Sequence, residues 1–158
     1  NMTDATPLWQ SMAANGAMMI NATPHAQALG MRVLTIEEGR CVAEIPWRED
    51  IVGDPDTGVI ASGAVTTLLD NACGVAAFAA LTSPTSAATL DLRIDYMRPA
   101  KPGQSVRADA RCYKLTRSVA FVRAFAFDSD DESDPVAAVQ ATFMMGRGKS
   151  GQNRRPAG

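Results

Sequence analysis

Residues 61–81 limit what this chain can become more than any other stretch. ASGAVTTLLDNACGVAAFAAL is mostly apolar, is built mainly from small side chains and contains no proline. As one helix it would run about 30 Å at 1.5 Å per residue. A helix apolar on most sides has to be enclosed. Thr66, Thr67, Asp70 and Asn71 interrupt the run, which argues against a lipid-facing span. The helix is therefore expected inside a protein core.

The segments that follow can enclose it. Leu90, Leu92, Ile94 and Tyr96 alternate with Asp91, Arg93 and Asp95, and Val106, Ala108, Ala110 and Cys112 alternate with Arg107, Asp109 and Arg111. This period of two marks half-buried antiparallel strands. Residues 119–127 put Phe121, Phe125 and Phe127 on one face and Ala120, Val122, Ala124 and Ala126 on the other, so both faces are expected to be covered. Residues 136–145 supply a fourth strand. The alanine faces let a sheet curve closely around a small-residue helix.

Ahead of the long helix, residues 7–20 are expected to be helical. Thr23-Pro24 starts a short second helix that stops at Gly30. Residues 33–36 and 41–45 read as two strands joined at Glu37-Glu38-Gly39, and residues 50–58 read as a loop. The plan is α+β: one curved antiparallel sheet of about six strands wrapped around one long central helix. It divides into a helical extension over 1–23, one domain over 24–146 and a disordered tail over 147–158. Phenylalanines on the outer face and two free sheet edges call for a second subunit, so a homodimer or larger homo-oligomer is expected.

Charge and composition narrow the function. Fifteen Lys and Arg against seventeen Asp and Glu leave a net charge of −2, so no basic face for nucleic acid is expected. Cys41, Cys73 and Cys112 form no CxxC pair, and His25 is the lone histidine, which points away from disulfides and from a metal cage. The N-terminus has no basic stretch followed by an apolar core, so no signal peptide, no membrane anchor and a cytoplasmic location are expected. On its residues alone, Asp70-Asn71 reads as a polar pair satisfied by hydrogen bonds across a dimer.

Four stretches carry a resemblance to a known family. They are Leu29-Gly30-Met31-Arg32-Val33 with the turn Glu37-Glu38-Gly39-Arg40; Gly58-Val59-Ile60-Ala61-Ser62-Gly63 leading into Leu68-Leu69-Asp70-Asn71-Ala72-Cys73-Gly74; Asp91-Leu92-Arg93-Ile94-Asp95-Tyr96-Met97-Arg98-Pro99-Ala100 with Gly103; and Lys114-Leu115-Thr116-Arg117-Ser118. In order and spacing they resemble the hotdog-fold acyl-CoA thioesterases, in particular the PaaI-like branch named for phenylacetic acid degradation.

The resemblance implies hydrolysis of a short, medium-chain or aromatic acyl-CoA to free acid and coenzyme A. Asp70 would act as base or nucleophile, and backbone N–H groups near Ser62 and Gly63 would hold the oxyanion with help from the helix dipole. Thr89 would orient the water from the neighbouring subunit. Thr67 and Asn71 would lie beside the substrate, and Lys114, Arg117 and Ser118 would meet the nucleotide end of coenzyme A. Coenzyme A belongs to the substrate, so the resemblance implies neither a separate cofactor nor a metal, and it implies sites at a dimer interface.

The chain departs from the family where Ala61-Ser62-Gly63 stands in place of His-Gly-Gly. On the preceding loop, Asp54 and Asp56 stand near the place of a family amide. These departures leave a rival: a non-catalytic acyl-CoA-binding hotdog protein. A hydratase acting on enoyl thioesters is a third option, but it would need His25.

Overall fold

A computed structural model describes residues 6–21 and 23–146. The tail expected to be disordered, 147–158, lies outside the described residues, as do residues 1–5 and 22.

The chain forms helix α1 (Leu8–Asn21), a short α2 (Pro24–Ala28), and strands β1 (Arg32–Glu37) and β2 (Arg40–Ile45). Next come a 3-10 turn (Glu49–Ile51) and the small hairpin β3 (Val52–Asp54) and β4 (Val59–Ile60). The long helix α3 (Ser62–Ala79) leads into β5 (Ala87–Tyr96), β6 (Val106–Leu115), β7 (Val119–Phe127) and β8 (Ala137–Met145). The β1–β2 turn closes with Gly39 at a φ of 65°, a left-handed conformation that favours glycine. The stretch expected as loop, 50–58, is more ordered than its composition suggested. Asp54 accepts hydrogen bonds from the Asp56 N–H and the Thr57 hydroxyl, and the Ala61 N–H donates to the Ile51 carbonyl.

Six strands form one antiparallel sheet in the order β1-β2-β6-β7-β8-β5. This is the α+β hotdog arrangement. Its inner face carries fully or nearly fully buried alanines, among them Ala108, Ala110, Ala124, Ala126, Ala137 and Ala141. Large side chains there would hold α3 away from the sheet. Leu68 and Leu69 are fully buried, each contributing about 2 kcal/mol by leaving water. Met12 of α1 reaches the same core, with Leu8 and Trp9 packed against it.

Two features depart from the period-two expectation. The β5–β8 register shifts between Thr89 and Asp91, so Leu90 is an extra residue in a β-bulge and stands exposed rather than in line with Leu92. Thr89, paired with Phe143, thereby joins the inner face that carries Leu92, Ile94 and Tyr96. On the outer face, Phe127 is buried, yet Phe125 and Tyr113 remain 46% and 45% exposed. One chain therefore covers only the α3 side of the sheet, not both faces of β7.

Candidate active site

The sheet buries one side of α3 and leaves a stripe open. Ala64, Val65, Leu68, Leu69, Ala72 and Cys73 are buried, whereas Ser62, Gly63, Thr66, Thr67, Asp70, Asn71 and Gly74 are half-buried or exposed. The open stripe runs beside β5, one of the two edge strands of the sheet. β5 presents Tyr96 to the first turn of α3 and Thr89 to its middle.

The Asp70 carboxylate sits in a cleft of about 230 Å³ lined by Thr23, Asn71, Gly74, Val75, Phe78, Ala87, Thr89 and Phe143. Its hydrogen-bond partner among the described residues is the Thr89 hydroxyl, which donates to Oδ1 at 3.0 Å. The bulge at Leu90 creates this contact, because an unbroken alternation would turn Thr89 outward. Thr89 and Asp70 come from one chain, which corrects the expectation that Thr89 reaches the site from a neighbouring subunit. Asn71 stays in the cleft wall and donates its side-chain N–H to the Thr67 carbonyl at 2.9 Å. Thr67 turns its hydroxyl back to the Gly63 carbonyl, also at 2.9 Å, and does not line the cleft.

A second cleft, of about 580 Å³, opens at the start of α3 and is lined by Gly53, Asp54, Ser62, Gly63, Tyr96 and Arg98 among others. Ala61 caps the helix without a side-chain hydrogen bond. The Ser62 and Gly63 amides have no acceptor among the described residues, as the first N–H groups of a helix require unless something caps them. A Cβ added at Gly63 would meet nothing within 4 Å, so this backbone is open to approach. The Asp54 carboxylate is tied into its own turn, whose donors hold it below the usual carboxylate range, led by the Thr57 hydroxyl.

Gly63 and Asp70 lie on one face, but seven residues separate them, about 10 Å along the axis. They open into different clefts. A single chain cannot bring its helix-start amides and its Asp70 to one carbonyl.

The remaining candidates lie farther out. Lys114 and Arg117 are exposed at the β6–β7 turn, and neither side chain has an ion-pair partner among the described residues. The Ser118 carbonyl accepts from the Met145 N–H at 2.7 Å, and Met145 pairs with Ala87 at the lip of the Asp70 cleft. This turn therefore stands at the Asp70 end of the sheet. Burial, reinforced by the Asp70 charge, pushes the Cys73 thiol up, and burial pushes Cys41 up to about 12, so neither supplies a thiolate nucleophile near neutral pH. No group of three metal-ligating side chains occurs among the described residues.

The comparisons identify the family and agree with the fold. A profile of the thioesterase superfamily matches residues 57–134, from the hairpin before α3 to just short of β8. A protein of Halobacterium salinarum described as a candidate esterase is 32% identical over 123 residues, which are 76% of this chain and 78% of that one. The chain belongs to the thioesterase superfamily. Among solved structures of similar chains, a Pseudomonas aeruginosa protein 38% identical gives a TM-score of 0.75 over 87% of this chain and 98% of its own. A mutant of the phenylacetic acid degradation protein PaaI from Thermus thermophilus is 30% identical, with a TM-score of 0.67 over 77% of this chain and 98% of that one. PaaI from E. coli, 19% identical, shares the fold with a TM-score of 0.74 over 89% of this chain and 97% of its own. Within this superfamily fold, the sequence pointed to Asp70 and the helix start but passed over Tyr96 and Phe143 as residues lining the clefts. The inward face of β5 signalled Tyr96, but its contact with α3 depends on how strand and helix cross.

Proposed function

We propose that this thioesterase-superfamily protein hydrolyses an acyl-CoA thioester to the free acid and coenzyme A, with Asp70 as general base or nucleophile. The observation that carries this is a half-buried carboxylate in a cleft, met there by a single hydroxyl, as the lone charged side chain of a helix whose leading amides are unbonded. A buried structural aspartate gathers several donors, as Asp128 does with Arg98 and the Lys101 N–H. Asp70 keeps acceptor capacity for a water or faces a carbonyl directly.

Because amides and carboxylate stand about 10 Å apart on one helix, the working site takes its oxyanion donors from a second copy. The free β5 edge, with exposed Leu90 and Met97 and both clefts beside it, is where that copy docks. The apolar end of the Asp70 cleft, with Gly74, Phe78 and Phe143, suits a short or aromatic acyl group. Lys114 and Arg117 supply cations for coenzyme A phosphates.

The test is thiol release from a panel of acyl-CoAs by the purified protein. Turnover that falls about a thousand-fold in Asp70→Asn, with the melting temperature held, supports hydrolysis. Thermal stabilisation by acyl-CoA with no thiol release would establish the binding-protein alternative.

A further inference from the structure

One peptide unit at the start of α3 is gripped from behind. The Ser62 carbonyl and the Gly63 N–H belong to the same planar amide, so whatever fixes the oxygen fixes the direction of the N–H. The Tyr96 hydroxyl donates to the Ser62 oxygen at 2.9 Å, and the Thr66 hydroxyl reaches the same oxygen at 2.9 Å. The two hydroxyls also touch each other, so their two protons are shared among three contacts: one hydroxyl can donate to the other only while that other donates to the Ser62 oxygen. The other end of the unit, the Gly63 N–H, opens into the cleft that Tyr96 lines. The neighbouring N-cap residue, Ala61, has no side chain able to do this.

We infer that Tyr96 is a positioning residue for the oxyanion site. It holds the Ser62–Gly63 plane so that the Gly63 N–H points at the thioester oxygen. It also strengthens that donor, because a hydrogen bond accepted at an amide oxygen polarises the N–H at the other end of the unit. Thr66 shares the task within the helix, while Tyr96 ties the helix start to the end of β5. An exposed tyrosine serving only to fill space would have no need of two polar contacts on one helical turn. The inference rests on the hydrolase proposal, since an aimed amide matters when a carbonyl oxygen gains charge.

The experiment uses the intact protein with benzoyl-CoA and has two arms. In the first, Tyr96→Phe lowers kcat about five- to ten-fold with KM within about two-fold of wild type and the melting temperature nearly unchanged, as expected for one hydrogen bond acting mainly in the transition state. Adding Thr66→Val produces less than the product of the two separate losses, because both act on one oxygen. In the second, benzoyl-CoA is bound to Asp70→Asn, and its carbonyl stretching band lies below the free value. Adding Tyr96→Phe returns the band part-way toward free.

Wild-type kcat in Tyr96→Phe, a loss confined to KM, or an unmoved carbonyl band would overturn the inference. If wild type binds benzoyl-CoA without releasing thiol, the hydrolase proposal fails, and the carbonyl band still decides the role of Tyr96. If benzoyl-CoA does not bind at all, the inference falls too.

Discussion

Thr89 donates its hydroxyl to Asp70 across 3.0 Å, and it reaches that carboxylate because the chain inserts one extra residue, Leu90, into the strand beside it. The bulge spends one residue of β5 to rotate a hydroxyl toward the helix. Thr89→Val keeps the branched shape and the strand propensity but removes the donor. Its expected effect is about a ten-fold loss of kcat, the equivalent of about 1.4 kcal/mol, with folding stability within about 1 kcal/mol of wild type. Steady-state thiol release and urea unfolding check both halves. An equal fall in rate and stability would mean that Thr89 is structural.

The separation of Gly63 from Asp70 makes a prediction about subunits. Gly63→Val should fold, because a Cβ there meets nothing within 4 Å, yet it should block approach to the open amides. Asp70→Asn should be inactive by itself. Unfolded together and refolded, the two variants should regain activity. A mixed dimer then has one site with both changes and one with neither. With half of the dimers mixed, activity approaches about a quarter of wild type, because each mixed dimer keeps one of two sites. If the mixture stays inactive while mixed dimers are demonstrably present, the shared site is wrong.

Gly74 sets stability against room for the acyl group. Glycine inside a helix costs about 1 kcal/mol relative to alanine, and the added Cβ would sit at an ordinary 3.6 Å from the Phe143 ring. Gly74→Ala should therefore raise stability by up to about 1 kcal/mol in chemical denaturation. The same methyl group narrows the Asp70 cleft, so benzoyl-CoA turnover should fall relative to acetyl-CoA turnover. A uniform effect on both substrates would place the acyl group elsewhere.

Asp128 predicts how the fold responds to acid. Its side chain is fully buried, and the bidentate Arg98 guanidinium at 2.7 Å, with help from the Lys101 N–H at 2.8 Å, holds its carboxyl at about 2, below the ordinary value of 3.8. A depressed carboxyl stabilises the fold above its unfolded pKa, and that stabilisation is lost as pH falls through the folded value. The loss, about 2 kcal/mol, should fall between about pH 4 and pH 2. Asp128→Asn should be weaker at pH 7 by about 2 kcal/mol, since Arg98 loses its buried carboxylate and keeps the exposed Asp134 as its remaining ion-pair partner. It should also show a shallower decline in acid. Urea midpoints at pH 7, 5 and 3 measure both effects, and parallel curves for the two proteins would refute the assignment.

The amino-acid sequence by itself determined the largely apolar rod of α3, the alanine faces that close around it and the placement of Asp70 as the one charged side chain on that rod. These are local matters: side-chain size, period and helix propensity act between residues close in the chain. It also marked Ser62 and Gly63, because a helix start leaves amides unpaired wherever it occurs. Only the tertiary structure decided which groups meet. The Leu90 bulge is a mismatch between two strands far apart in sequence, where Thr89 pairs with Phe143 and Asp91 with Thr142. It overrode an alternation that placed Leu90 inward, because pairing with β8 resets the phase of β5. The contact of Tyr96 with Ser62 depends on the angle at which β5 crosses α3, which no residue pattern encodes. The distance from Gly63 to Asp70 was legible in the helical rise. That it divides the site into two clefts became visible only once β5 lay beside both.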